Sequence, residues 1–193
     1  MQRLRVAPRC HLFYHEAMTP HSSGLVDAVQ GDITSIEADA IVNAANERLL
    51  AGGGVCGAIF RAAGADALTK ACDAIGHCPT GEAVITPAFG IKTARFIIHA
   101  VGPVYSAYPP EEARALLRSA YRAAIRLAAA NGLKSIAFPA ISTGIYGYPL
   151  EEACREAVDV CRAEAAACGL TVKLVAFDAR TAAELRKHLE AEE

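Results

Sequence analysis

Asn43-Ala44-Ala45-Asn46-Glu47-Arg48-Leu49-Leu50-Ala51-Gly52-Gly53-Gly54-Val55-Cys56-Gly57-Ala58-Ile59-Phe60 leads from a short apolar strand, Ala40 to Val42, into a helical pattern. Glycines between a strand and a helix let backbone come close to a ligand, because no Cβ stands in the way. A helix start offers unpaired N–H groups and a partial positive charge, both suited to phosphate. The stretch reads as an anion cradle, with Asn43 or Asn46 placed to bond hydroxyls, or more plainly as a loop that turns the chain. It carries neither the Gly-Lys-Ser/Thr of a P-loop nor a Gly-x-Gly-x-x-Gly fingerprint, so it matches neither nucleotide motif.

The same arrangement recurs further on. A strand, Ser135 to Pro139, runs into Pro139-Ala140-Ile141-Ser142-Thr143-Gly144-Ile145-Tyr146-Gly147-Tyr148-Pro149, and a helix follows from Pro149 to Ala167. Two such loops at one edge of a sheet would grip a diphosphate from two sides. Thr171 to Phe177 is the last strand, with Phe177-Asp178 at its C-terminal end. Ligands of α/β sheets sit at such ends. Phe177 there either stacks on a base or packs into the core. Asp32, in Gly31-Asp32-Ile33-Thr34, falls where the first strand, Leu25 to Gln30, runs out, and a turn-forming role suits it.

The remaining elements alternate. Val55 to Ile75 reads as helix with a break at Gly64. Glu82 to Pro87 and Arg95 to Val101 read as a hairpin with a longer loop. His99, inside that second apolar run, is expected buried and hydrogen-bonded. Pro109-Pro110 opens a long helix that Gly132 ends. Thr181-Ala182-Ala183-Glu184 matches a capping box for the last helix. Strands alternating with helices, with one hairpin, predict helices on both faces of a mixed sheet: a three-layer α/β/α sandwich. Residues 1–24 fit none of this. They read as an N-terminal extension, either mobile or adding an edge strand at Leu12-Phe13-Tyr14, with one domain over 25–193.

The bulk numbers exclude several classes. A net charge of −2 over 193 residues lacks the basic excess of a nucleic-acid binder. No apolar run is long enough to span a membrane. The seven cysteines form no CxxC pair and no Cys/His cluster with zinc spacing, so no metal is expected. Cys154, Cys161 and Cys168 recur on one helix face, as small core residues do. This many unpaired thiols suits a reducing cytoplasm. The chain is expected to be a cytoplasmic monomer without cofactor, nucleic-acid or membrane partner.

Gly31-Asp32-Ile33-Thr34, Asp39-Ala40-Ile41-Val42-Asn43-Ala44-Ala45-Asn46, Gly52-Gly53-Gly54-Val55, Ile98-His99-Ala100-Val101-Gly102-Pro103 and Ser142-Thr143-Gly144-Ile145-Tyr146-Gly147-Tyr148-Pro149 resemble, in that order, the motifs of a macrodomain of the MacroD type. The resemblance covers about residues 25–190. It implies ADP-ribose in a cleft at the strand ends. It places Asp32 on the adenine amino group, Ile33 beside it, and Phe177 stacked on adenine. It places Asn46 near the distal ribose. Gly53, Gly54 and Val55 would form the first diphosphate loop, and Ser142, Thr143, Gly144, Ile145 and Tyr146 the second. The implied activity is hydrolysis of mono-ADP-ribose from acidic side chains of proteins, or deacetylation of O-acetyl-ADP-ribose, with ADP-ribosylated proteins as partners.

One departure falls on the chemistry. The family pattern after the glycines is Val-Asp-Gly-Ala-Ile-His, and here it is Val55-Cys56-Gly57-Ala58-Ile59-Phe60. The candidate catalytic residues are therefore Asn46 and Cys56. An unperturbed thiol, with a pKa of about 8.5, is mostly protonated at neutral pH. Cys56 is then a spectator to a water held against the diphosphate, or a thiolate lowered by the helix start, or the mark of a reader that binds without turnover. An ADP-ribose 1″-phosphate phosphatase is a further alternative in the same cleft.

Overall fold

The computed structural model describes residues 25–191, so the extension and its edge strand at Leu12-Phe13-Tyr14 lie outside the described residues. The elements are β1 (Val26–Gln30), β2 (Ala40–Ala45), α1 (Gly54–Ala63), α2 (Ala65–Ile75), β3 (Ala83–Pro87), β4 (Phe96–Val101), α3 (Pro110–Ala130), β5 (Ser135–Pro139), α4 (Leu150–Cys168), β6 (Thr171–Ala176) and α5 (Ala179–Glu190). The strands form one sheet in the order β1-β6-β5-β2-β4-β3. β3 runs antiparallel to β4, and the other neighbours are parallel. This is the mixed sheet and hairpin that the sequence predicts.

Helices cover both faces. On one side Ile41 and Ile97 pack with Ile59 of α1 and Leu68 of α2. On the other Val42 and Ile98 pack with Leu117 and Tyr121 of α3 and Val158 of α4. β2 and β4 read as apolar runs because neither face meets water. In α3 the buried residues Ala113, Leu117, Ala120, Tyr121, Ala124, Ile125 and Ala128 follow helical spacing. The expected break at Gly64 is real: its φ of 91° ends α1 and opens α2, a conformation that side chains disfavour.

Two local expectations need correction. β2 continues past Val42 to Ala45, so Asn43 lies in the sheet, paired with His99 of β4. Ladder bonds to β4 there outweigh the poor strand propensity of asparagine. The last helix begins earlier than the capping box suggested. Asp178 caps it, accepting the Thr181 N–H at 2.9 Å and the Thr181 hydroxyl at 2.9 Å. Aspartate is as good an N-cap as threonine, and here it follows the strand directly.

Five parallel strands, β1, β6, β5, β2 and β4, thus end at one edge of the sheet. Every candidate site residue sits on or just beyond those ends. Among the described residues no helix is long and apolar enough to cross a membrane.

Candidate functional site: a cleft between two glycine loops

An open cleft of about 760 Å³, part of it continuous with solvent, separates the two glycine loops. Asn46, Gly53, Gly54, Val55 and Cys56 form one wall, and Ser142, Gly144, Ile145 and Tyr146 the other. The predicted loops are therefore brought face to face. Thr143 does not line the cleft; its hydroxyl donates to the Ala140 carbonyl at 2.8 Å and tightens the second loop.

The first loop is held by its own asparagine. Asn46 Nδ2 donates to the Leu50 carbonyl at 2.7 Å, and Asn46 Oδ1 accepts the Leu50 N–H at 3.1 Å. Leu49, buried between them, takes a left-handed φ of 57°. That costs a leucine roughly 1–3 kcal/mol, which the clamp and the burial offset. The chain then reaches Gly53 and Gly54 at the start of α1. A Cβ on either would meet nothing within 4 Å, so the cleft, not the protein, claims that space. The bare N–H groups at this helix start suit an anion.

The second loop is pinned from below. Tyr121, fully buried, donates its hydroxyl to the Pro139 carbonyl at 3.2 Å and accepts the Ile141 N–H at 3.1 Å. Ser142 follows with φ 67° and is 6% exposed, and its hydroxyl has no partner. Gly102, at the end of β4, backs directly onto it: a Cβ there would overlap Ser142 Oγ and Ile141 Cγ2. Ile145 stands 89% exposed at the rim.

Asp32, Ile33 and Phe177 do not line this cleft but gather beside it, at the ends of β1 and β6. The Gly31 N–H donates to the Ala176 carbonyl at 2.9 Å, which ties the two strand ends together. Asp32 Oδ1 accepts the Thr34 N–H at 2.9 Å and the Thr34 hydroxyl at 2.8 Å, so the aspartate shapes its turn. Ile33 is buried beneath it. Phe177 is 84% exposed, which removes the core-packing reading of that ring.

Cys56 lines the cleft at the Asn46 end. Its thiol donates to the Leu50 carbonyl at 3.7 Å. Burial pushes the thiol up, against the Asn43 and Gly52 hydrogen bonds that act to lower it. Cys56 is therefore a neutral thiol at neutral pH, a hydrogen-bond donor rather than a base. Tyr146 across the cleft is also raised, chiefly by burial and then by the Cys56 and Glu47 charges. His99 is fully buried as expected, with burial pushing it down to about 4.

Of the two asparagines expected near ligand hydroxyls, only Asn46 lines the cleft. Asn43 is 1% exposed and donates to His99 Nδ1 at 3.1 Å. Its Oδ1 has no partner, a burial cost of roughly 1–3 kcal/mol. Gly102 was missed as a lining residue. A glycine closing an apolar strand was the available signal. Cys154 and Cys161 are buried as the spacing predicts, and Cys168 is half-buried at the helix end. Glu151, Glu184 and His188 group three potential metal-ligand atoms outside the cleft. Lys187 Nζ already donates to both carboxylates, at 2.9 and 3.1 Å, so the group is an ion-pair network.

Comparison with known proteins gives this geometry a context. Residues 42–157 match the family model described as Macro domain. An O-acetyl-ADP-ribose deacetylase of Salmonella gallinarum is 56% identical over 137 residues, 69% of this chain and 75% of that protein. Among solved structures, the Oceanobacillus iheyensis macrodomain with ADP superposes with a TM-score of 0.79 at 42% identity, over 84% of this chain and 88% of that one. The Trypanosoma brucei macrodomain in complex with ADP-ribose gives 0.76 at 38%, over 84% and 68%.

Proposed function

The chain belongs to the macro domain family, and from that premise we propose that its cleft binds ADP-ribose and hydrolyses the acetyl ester of O-acetyl-ADP-ribose. The observation that carries the reading is the pair of glycine loops facing one another across a single cleft, with Gly53, Gly54 and Gly144 open to it. Backbone N–H groups from both loops and the α1 start would receive the diphosphate. Asp32 and Phe177 lie on the side where the adenine would rest. Asn46 and Cys56 then face the distal ribose.

In the reaction water adds to the acetyl carbonyl, the bond to the ribose oxygen breaks, and acetate and ADP-ribose leave. A neutral thiol cannot take the proton from that water. The ligand's own diphosphate, fixed by the loops, is the base within reach, and Cys56 and Asn46 position the water and the ribose. The same cleft would release mono-ADP-ribose from acidic side chains, which makes ADP-ribosylated proteins its partners. We place this activity in a monomeric, cytoplasmic protein that needs no metal.

The neutral Cys56 thiol favours one other reading, an ADP-ribose reader without turnover. Acetate release from O-acetyl-ADP-ribose by the parent, Cys56→Ala and Cys56→Asp decides between them. Turnover by the parent that survives a chelator supports the hydrolase. No turnover by the parent, restored in Cys56→Asp, makes the chain a reader.

A further inference from the structure

The cleft opens where the sheet comes apart. β2 and β5 pair only at Ala40↔Ile136 and Ile41↔Ala137, while β2 runs on to Ala45 beside β4 and β5 runs on to Pro139 beside β6. Along a strand, successive residues give their backbone groups to opposite neighbours. Asp39 gives its carbonyl to the Phe96 N–H of β4 at 3.2 Å, so Ala40, Val42 and Ala44 turn theirs toward β5. Lys134 gives its carbonyl to the Thr171 N–H of β6 at 2.9 Å, so Ala137 and Pro139 turn theirs toward β2. The next rung of the ladder would need an N–H from Pro139 to the Val42 carbonyl, and proline has none. The rung beyond it would join Ala44 to the Pro139 carbonyl and to the Ile141 N–H. Both of those groups go to Tyr121 Oη instead, at 3.2 and 3.1 Å. Ala44 lines the cleft.

We propose that Tyr121 is the positioning residue that holds this gap open: its hydroxyl takes the two groups that Ala44 would otherwise pair with, and so leaves the Ala44 N–H and carbonyl to the ligand. One hydroxyl is enough because it both donates and accepts. The ring is seated without it. Tyr121 is fully buried on α3 and packs on Phe138 of β5, with ring centroids 5.1 Å apart. Without the hydroxyl, the Pro139 carbonyl and the Ile141 N–H must find other partners. Ala44 is the partner that the strand register offers, and pairing with it draws β5 and the second loop toward β2. A backbone N–H beside a carbonyl suits a group that donates and accepts at once, a ribose hydroxyl or a water held on it. Ala44 stands two residues before Asn46 on the same wall, so the pair serves the Asn46 end of the cleft. Tyr121 does not line the cleft and acts only through the strand end that it holds.

The test compares the full chain with Tyr121→Phe, by amide hydrogen exchange followed by NMR and by calorimetry with ADP-ribose. In the ligand-free parent the Ala44 amide exchanges faster than those of Val42 and Ile141, and ADP-ribose slows it. In Tyr121→Phe the Ala44 amide exchanges more slowly without ligand, and ADP-ribose binds about tenfold more weakly, the equivalent of one lost hydrogen bond. A hydroxyl that serves the fold alone would lower the melting temperature and leave both readouts in place. An Ala44 amide as protected as that of Val42 in the ligand-free parent overturns the proposal, and so does an Ala44 amide unmoved by Tyr121→Phe. Should Tyr121→Phe not fold, the parent decides by itself, and a fast Ile141 amide beside a slow Ala44 amide overturns the proposal. The affinity readout rests on the ADP-ribose reading. A parent that binds no ADP-ribose ends that reading alone, and ligand-free exchange at Ala44, with and without the hydroxyl, still decides on Tyr121.

Discussion

Asn46 and Cys56 meet on one carbonyl: the Leu50 oxygen accepts Asn46 Nδ2 at 2.7 Å and Cys56 Sγ at 3.7 Å. The two candidate catalytic side chains are thereby set relative to each other by a backbone atom four residues beyond one and six before the other. Asn46→Ala removes the clamp on Leu50 as well as the proposed contact to the distal ribose. Asn46→Asp keeps the acceptor for the Leu50 N–H but sets a carboxylate oxygen against the Leu50 carbonyl. We expect Asn46→Asp to lose at least as much kcat/KM for acetate release as Asn46→Ala. A near-normal Asn46→Asp enzyme would show that the clamp is dispensable.

Gly102 gives a second, purely steric prediction. It is buried behind Ser142, and a methyl group there would overlap Ser142 Oγ and Ile141 Cγ2. The neighbours cannot yield easily, because Tyr121 pins Ile141 and Ser142 already sits at φ 67°. Overpacking of this kind costs typically about 1–3 kcal/mol. Gly102→Ala should lower the melting temperature and weaken ADP-ribose binding together, since the displaced loop is one wall of the cleft. Calorimetry and thermal unfolding of the one variant check both. Normal affinity would mean that the second loop does not receive the ligand.

The fold was legible because its signals are local and repeated. Apolar runs marked the strands covered on both faces, helical spacing marked α3, and Gly64 marked the break between α1 and α2. The two cradles were legible for the same reason, as glycines between a strand and a helix. What stayed hidden depends on pairing across the sheet. Asn43 looked like a loop residue until its partner in β4, His99, was known. Nothing local distinguishes it from Asn46, three residues on. The fate of Cys56 was likewise unreadable, since a helix start lowers a thiol and burial raises it, and only the packing decides which wins. Thr181 misled because a capping box is a spacing pattern, and Asp178 satisfied the same helix end first.

His99 makes the fold sensitive to mild acid. Burial holds its folded value near 4, against roughly 6.5 in an unfolded chain. Above the unfolded value both states are neutral and the full stability is present. As pH falls below it, the unfolded chain takes a proton that the folded ring refuses, and stability is lost until about the folded value, up to about 3 kcal/mol. Asp39, lowered chiefly by the Lys134 N–H, loses its contribution at the acidic end of this range and below. The loss between pH 6.5 and 4.5 should therefore be smaller in His99→Gln than in the parent, in denaturant titrations at each pH. Equal slopes would place the acid sensitivity elsewhere.

Phe177 should matter to the ligand and not to the fold. The ring is 84% exposed at the end of β6, beside the Asp32 turn that the Gly31 N–H ties to Ala176. So exposed a side chain contributes little to the core, and Phe177→Ala should unfold at the parent's temperature. An aromatic pair contributes about 0.5–1.5 kcal/mol beyond buried area, so losing the ring should weaken ADP-ribose by about tenfold once the lost contact area is included. A ribose phosphate ligand without the base should bind parent and variant alike. Calorimetry with the two ligands separates the cases. If Phe177→Ala weakens both equally, the ring is not an adenine platform, and if it weakens neither, the base rests elsewhere on the sheet edge.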